Sequence, residues 1–172
     1  VFLIAFGISS AVLMLLLITL DKQNRRYIVF FKNNKLTGML AGVVGCIAVV
    51  LPLFIVYSQI DIANRGGAVS TALVLPILIF ALLGNFFEEG LFRGYVLGYL
   101  QRTHSPLMAG IGSGILFAAC HTFLATTVTN VGIPILTFTI WEGIIAGIVG
   151  TKYGVIPATL THGGAIFLLS SG

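Results

Sequence analysis

The chain has 172 residues, 58% of them apolar and only 8% charged, with a mean hydropathy of +1.08 and a formal net charge of +4. Soluble domains carry roughly 25% charged residues, so this composition excludes a soluble globular domain. Apolar runs of about 20 residues favour helices over a β-barrel, which would show alternating strands, and predict an all-α fold, a polytopic transmembrane helical bundle of about six helices. The basic residues sit mostly in short connecting segments, the pattern of membrane topology and not of nucleic-acid binding.

Residues 1–20 are continuously apolar and long enough to span. The first residue is Val, so a start further upstream is expected. No basic segment precedes the run, which favours an uncleaved membrane helix over a signal peptide. Residues 21–36 carry Asp21, Lys22, Arg25, Arg26, Lys32 and Lys35 and read as a solvated loop near lipid headgroups. Residues 37–58 form a second span, with Pro52 a candidate kink. A loop follows at 59–69, with Asp61, Arg65 and the Gly66-Gly67 pair. Residues 1–69 thus make an N-terminal two-helix region, and 70–172 a helical core, within one membrane domain.

Residues 70–101 are too long for one straight span: ~48 Å of helix against a ~30 Å hydrocarbon core. Gly84, Gly90 and Gly94 are candidate break points. Ser105-Pro106 opens a fourth helix running to about residue 125. A polar turn at 126–131, a fifth helix over 132–150, a short loop with Lys152 and Gly154, and a last helix over 155–171 complete the chain. Cys46 and Cys120 lie in apolar runs and read as buried thiols.

With six crossings, loops 21–36, 101–106 and 151–154 share one side and hold Lys22, Arg25, Arg26, Lys32, Lys35, Arg102 and Lys152. The other side holds Arg65 alone. The positive-inside rule then places both ends of the chain outside the cytoplasm. Gly38/Gly42, Gly94/Gly98, Gly110/Gly114 and Gly143/Gly147 recur at four-residue spacing, which allows close helix approach, more often within a monomer than between copies. The oligomeric state stays open.

Ionisable residues inside membrane helices mark functional sites. The stretch Asn85-Phe86-Phe87-Glu88-Glu89-Gly90-Leu91-Phe92-Arg93 holds two carboxylates and a guanidinium in apolar surroundings. Helical rise puts Glu88/Glu89 and His121 ~20 Å, and Glu142 and His162 ~15 Å, from the basic side, a common slab of depth. Glu89 and Arg93 are i, i+4 with the acid first, the orientation that favours an ion pair. Glu88, rotated about 100° from Glu89, is the freer carboxylate and the candidate general base. Phe117 sits one turn before His121 and can pack against its imidazole. Two His with a carboxylate can hold zinc or act on water without metal. Glu88, His121 and His162 are the candidate zinc ligands, but no His-Glu-x-x-His motif occurs and a metal-free site is preferred. Glu142 reads mainly as a structural group, with Arg93 a candidate partner.

Glu88-Glu89-x-x-x-Arg93, Phe117-x-x-x-His121, a Gly-rich helix, and His162 after Gly154-Val-Ile-Pro-Ala together resemble the CPBP family. These are the CAAX proteases and bacteriocin-processing enzymes, also called the Abi family, of intramembrane endopeptidases. The resemblance covers residues 75–166. It implies that Glu88 activates water with His121, that His162 helps stabilise the oxyanion, and that Glu89 and Arg93 support the site. It also implies a substrate that is a membrane-associated peptide or protein, prenylated or of leader type. The depth of the polar groups, measured from the basic loops, places the site in the cell membrane with its opening expected toward the cytoplasm. Where the family carries Asn or Asp four residues after the last His, this chain has Ile166. Asn85, one turn before Glu88, is a candidate stand-in donor. The departure keeps a second reading in view, a non-catalytic membrane protein that binds a peptide or confers immunity. A proton-coupled transporter is a third, disfavoured because no internal repeat is seen.

Overall fold

The computed structural model describes residues 2–58, 69–122 and 132–171. Six helical rods account for most of them: α1 (Phe2–Leu20), α2 (Lys35–Ser58), a composite rod, α5 (Pro106–Cys120), α6 (Ile133–Tyr153) and α7 (Val155–Ser171). The composite rod runs α3 (Thr71–Glu89), a π-helical segment (Gly90–Val96) and α4 (Leu97–Leu100) without a break. No β-strand occurs among the described residues. Asp61, Arg65, Gly66 and Gly67, and the turn expected at 126–131, lie outside them.

The surface is inverted relative to a water-soluble protein. Leu36, Val44, Phe54, Leu75, Leu107 and Ile133 are exposed, while Asn85, Glu88, Glu89, Arg93, Glu142 and His162 are buried. Only a lipid environment makes that arrangement favourable. Lys35–Ile55, Thr71–Leu100 and Ile133–Tyr153 are long and apolar enough to cross a membrane. Ile8–Thr19, Pro106–Cys120 and Val155–Ser171 are shorter apolar helices. The protein is an all-α membrane bundle.

α7 is the central rod, packed against α2, α3 and α6. Its small residues make this feasible: a Cβ on Gly163 would lie 2.9 Å from the Ala81 carbonyl oxygen of α3, and one on Gly164 3.0 Å from Cys46 Sγ of α2. α5 packs on α6 through the paired glycines, since a Cβ on Gly114 would lie 2.5 Å from the Gly143 carbonyl carbon. Gly38 and Gly42 receive Pro157 and Leu160 of α7, and Gly94 and Gly98 receive Ile28 and Tyr27. All four glycine pairs therefore serve contacts within the monomer. Cys46 is buried, but Cys120 is exposed, a correction to its expected burial. It lies on the same outer face of α5 as Ile115 and Leu116.

Pro52 does not interrupt α2. It does remove the N–H that would bond the Ala48 carbonyl, and the Trp141 indole N–H of α6 donates to that oxygen instead, at 3.2 Å. The composite rod does not break at Gly84, Gly90 or Gly94 either; it widens to π geometry from Gly90. π segments are frequent at functional sites.

The basic segment is more than a solvated loop. Lys22, Arg25, Arg26 and Lys35 are exposed, but residues 28–33 lie along the α6–α7 turn. Val155 and Ile156 donate their N–H groups to Val29 O and Phe30 O at 2.9 and 3.1 Å, satisfying the start of α7. Lys32 Nζ donates to Thr151 O at 3.2 Å and Asn33 Nδ2 to Lys152 O at 2.8 Å, covering the end of α6. Burial of the Lys32 amine pulls its pKa below the usual lysine value. Gly154, at φ +104°, makes the reversal, and a Cβ there would lie 2.6 Å from Val29 O. Loop 21–34, the α4–α5 connection and the α6–α7 turn thus share one end of the bundle, as Lys32 Nζ also reaches Gln101 Oε1 at 3.5 Å.

Candidate active site

The π segment, α5, α6 and α7 converge around Phe117. Phe117 is 1% exposed, and its ring touches four groups that matter to the site. The Arg93 guanidinium carbon is 4.6 Å from its centroid, the His121 ring 4.3 Å away, His162 meets it edge-on at 5.1 Å, and Phe92 edge-on at 5.2 Å. The packing of Phe117 on His121 follows from their spacing. Its contacts with Arg93 and His162 come from tertiary packing.

Glu88 and Glu89 are adjacent and face different partners. Glu89 Oε1 accepts from Arg93 Nη1 at 2.7 Å, with both side chains fully buried. The same oxygen lies 2.9 Å from His162 Nδ1. A carboxylate oxygen shared in this way requires the hydrogen on Nδ1. Arg93 Nη2 donates to the Gly143 carbonyl at 2.8 Å, tying the network to α6. Gly150 leaves room for the arginine stem, since a Cβ there would lie 2.7 Å from Arg93 Cγ. Ser113 Oγ donates to Phe92 O at 2.8 Å and anchors the π segment to α5.

Glu88 faces His121. Its Oε2 is 3.9 Å from His121 Nε2. α5 ends at Cys120 with His121 at its C-terminus; residues 123–125, to which the fourth helix was expected to run, lie outside the described residues. The imidazole accounts for the tightened turn at His121. Nδ1 donates to Phe117 O at 2.8 Å, taking the carbonyl that an α-helical His121 N–H would use, and that N–H bonds Ala118 O at 3.0 Å in a tighter turn. With Nδ1 committed, Nε2 is the nitrogen presented to Glu88.

His162 meets Glu89 through Nδ1, and its Nε2 lies 3.7 Å from Glu142 Oε2. Glu142 is thus brought to His162 and not to Arg93. Its depth, matching that of the other polar groups, was the sequence signal for it. Asn85 is buried, and its Nδ2 donates back to Ala81 O at 2.6 Å. Ile166 is half-buried one turn after His162 and brings no polar atom. Among the described residues no group of three His, Cys, Asp or Glu side chains is placed to hold a metal ion.

The fold and this centre define a membrane bundle with buried glutamate–histidine pairs held by an arginine. Residues 70–168, more than half of the chain, match the family model described as type II CAAX prenyl endopeptidase Rce1-like, and the chain belongs to that family. No curated protein and no solved structure gives a significant match.

Proposed function

We propose that this protein is an intramembrane endopeptidase that hydrolyses a peptide bond of a membrane-associated protein or peptide, with Glu88 activating the water. The observation that supports it most is the 3.9 Å gap between Glu88 Oε2 and His121 Nε2. That is too long for a direct hydrogen bond and short enough for both atoms to reach one water oxygen. In this reading Glu88 takes a proton from water as the water oxygen bonds to the scissile carbonyl carbon, while His121 orients it. The carbonyl oxygen becomes an oxyanion that His162 stabilises. As the carbon–nitrogen bond breaks, the proton on Glu88 passes to the departing nitrogen, leaving an amine and a carboxylic acid. No step is routed through a metal.

The substrate class is a prenylated C-terminus or a leader peptide. The protein would be multi-pass in the cell membrane, with the 21–34 loop and the α6–α7 turn on the cytoplasmic side. The test is cleavage of a set of prenylated and leader-type peptides by the purified protein in proteoliposomes in ¹⁸O-water. Hydrolysis places ¹⁸O in the new C-terminal carboxylate; intact peptides throughout would overturn the reading.

Ile166 favours a second reading, a peptide-binding or immunity protein without turnover. It predicts saturable binding of the same peptides with no cleavage, unchanged in Ile166→Asn.

A further inference from the structure

Glu142 is the buried carboxylate that the proposed reaction does not use. It is 3% exposed and stands on α6, apart from the Glu88-Glu89 pair on α3. Its Oε2 is 3.7 Å from His162 Nε2, and its Oε1 has no hydrogen-bond partner among the described residues. A scaffold role explains it poorly. Arg93 is engaged by Glu89 and by the Gly143 carbonyl, and α6 is held to α5 by backbone-close glycine packing. A buried carboxylate without full pairing costs free energy that an apolar residue of similar size would not.

The geometry around His162 gives it a purpose. Glu89 fixes the Nδ1 edge at 2.9 Å, and Phe117 fixes the tilt of the ring at 85°. Neither sets the Nε2 edge, which Glu142 faces. The four groups form a chain of alternating acid and base across four elements: Glu142 on α6, His162 on α7, Glu89 on α3 and Arg93 on the π segment. On α7 itself, Ile166 provides no polar support one turn beyond His162.

We infer that Glu142 is a positioning residue for His162. From α6, at 3.7 Å and so beyond a direct hydrogen bond, its carboxylate favours by charge a hydrogen on Nε2 of a ring whose Nδ1 hydrogen goes to Glu89, and leaves that Nε2–H free to donate to the oxyanion, a support that position 166 of α7 does not give. The catalytic part of this inference rests on the endopeptidase reading above; the coupling of Glu142 to the His162 ring does not.

The experiment compares full-length wild type, Glu142→Leu and Glu142→Gln in proteoliposomes, with peptide hydrolysis and thermal unfolding measured together. The chain has three histidines, so ¹⁵N-histidine labelling adds a resolved reading of each ring. The expected result for Glu142→Leu is a kcat lower by ~10²-fold, the scale of losing one oxyanion donor, with KM within about threefold and unfolding temperature unchanged or raised. Glu142→Gln, which keeps an oxygen at the same place, recovers part of kcat. Only the His162 ring signals move, and those of His104 and His121 stay. A kcat within threefold of wild type overturns the inference, and so do unmoved His162 signals. Absence of hydrolysis by wild type overturns the endopeptidase reading instead, and the ring signals then decide the Glu142–His162 coupling by themselves.

Discussion

Glu89 Oε1 lies 2.9 Å from His162 Nδ1 and accepts at the same time from Arg93 Nη1 at 2.7 Å. One carboxylate oxygen therefore joins α7 to the π segment inside the bundle. Removing the arginine would leave Glu89 buried beside a single partner. Arg93→Met is expected to lower stability by about 3–5 kcal/mol, read from unfolding in detergent micelles. A loss under 1 kcal/mol would mean that the pair is not what holds these helices.

The Trp141 hydrogen bond to Ala48 O exists because Pro52 leaves that carbonyl unpaired. Trp141→Phe should cost about 1 kcal/mol in hydrogen bonding. In a Pro52→Ala background the restored backbone N–H competes for the same oxygen, so the cost should shrink by about 0.5–1 kcal/mol. A double-mutant cycle of unfolding free energies measures this. Additive effects would show that the two residues are independent.

The glycines divide by what surrounds them. A Cβ on Gly114 meets the backbone of Gly143, whereas one on Gly84 meets nothing within 4 Å. Gly114→Ala should destabilise by about 1–3 kcal/mol. Gly84→Ala should be neutral or up to about 1 kcal/mol stabilising through helix propensity. Thermal unfolding of the two variants side by side checks the order, and the reverse order would contradict the α5–α6 packing described.

Much of this was legible in the sequence. Helix number and class follow from the apolar runs, and the Glu89–Arg93 pair and the Phe117–His121 contact follow from four-residue spacing, because these are local relations. The partners of His162, the turn of Arg93 toward Gly143 and the approach of Glu142 were not legible, because they depend on how α6 and α7 are rotated against α3. The π segment was also hidden: Gly90 and Gly94 mark close packing by Met14 and Ile28, and a sequence does not distinguish a widened turn from a break. The end of α5 at His121 depends on a side chain taking its own helix's carbonyl, a choice that helix periodicity does not register.

If Glu88 activates water without a metal, as proposed, peptide hydrolysis is expected to survive dialysis against EDTA. Activity measured before and after dialysis, and again after adding zinc, checks this. Loss on dialysis with recovery on zinc would contradict the metal-free reading.

The measurement that bears most directly on the account is hydrolysis by Glu88→Gln in proteoliposomes against wild type, at matched amounts of folded protein. Glutamine preserves the shape of the side chain but cannot take a proton from water. The account predicts a kcat lower by roughly 10²–10⁴-fold, with peptide binding retained. Undiminished cleavage by Glu88→Gln would remove Glu88 as the base and contradict the mechanism.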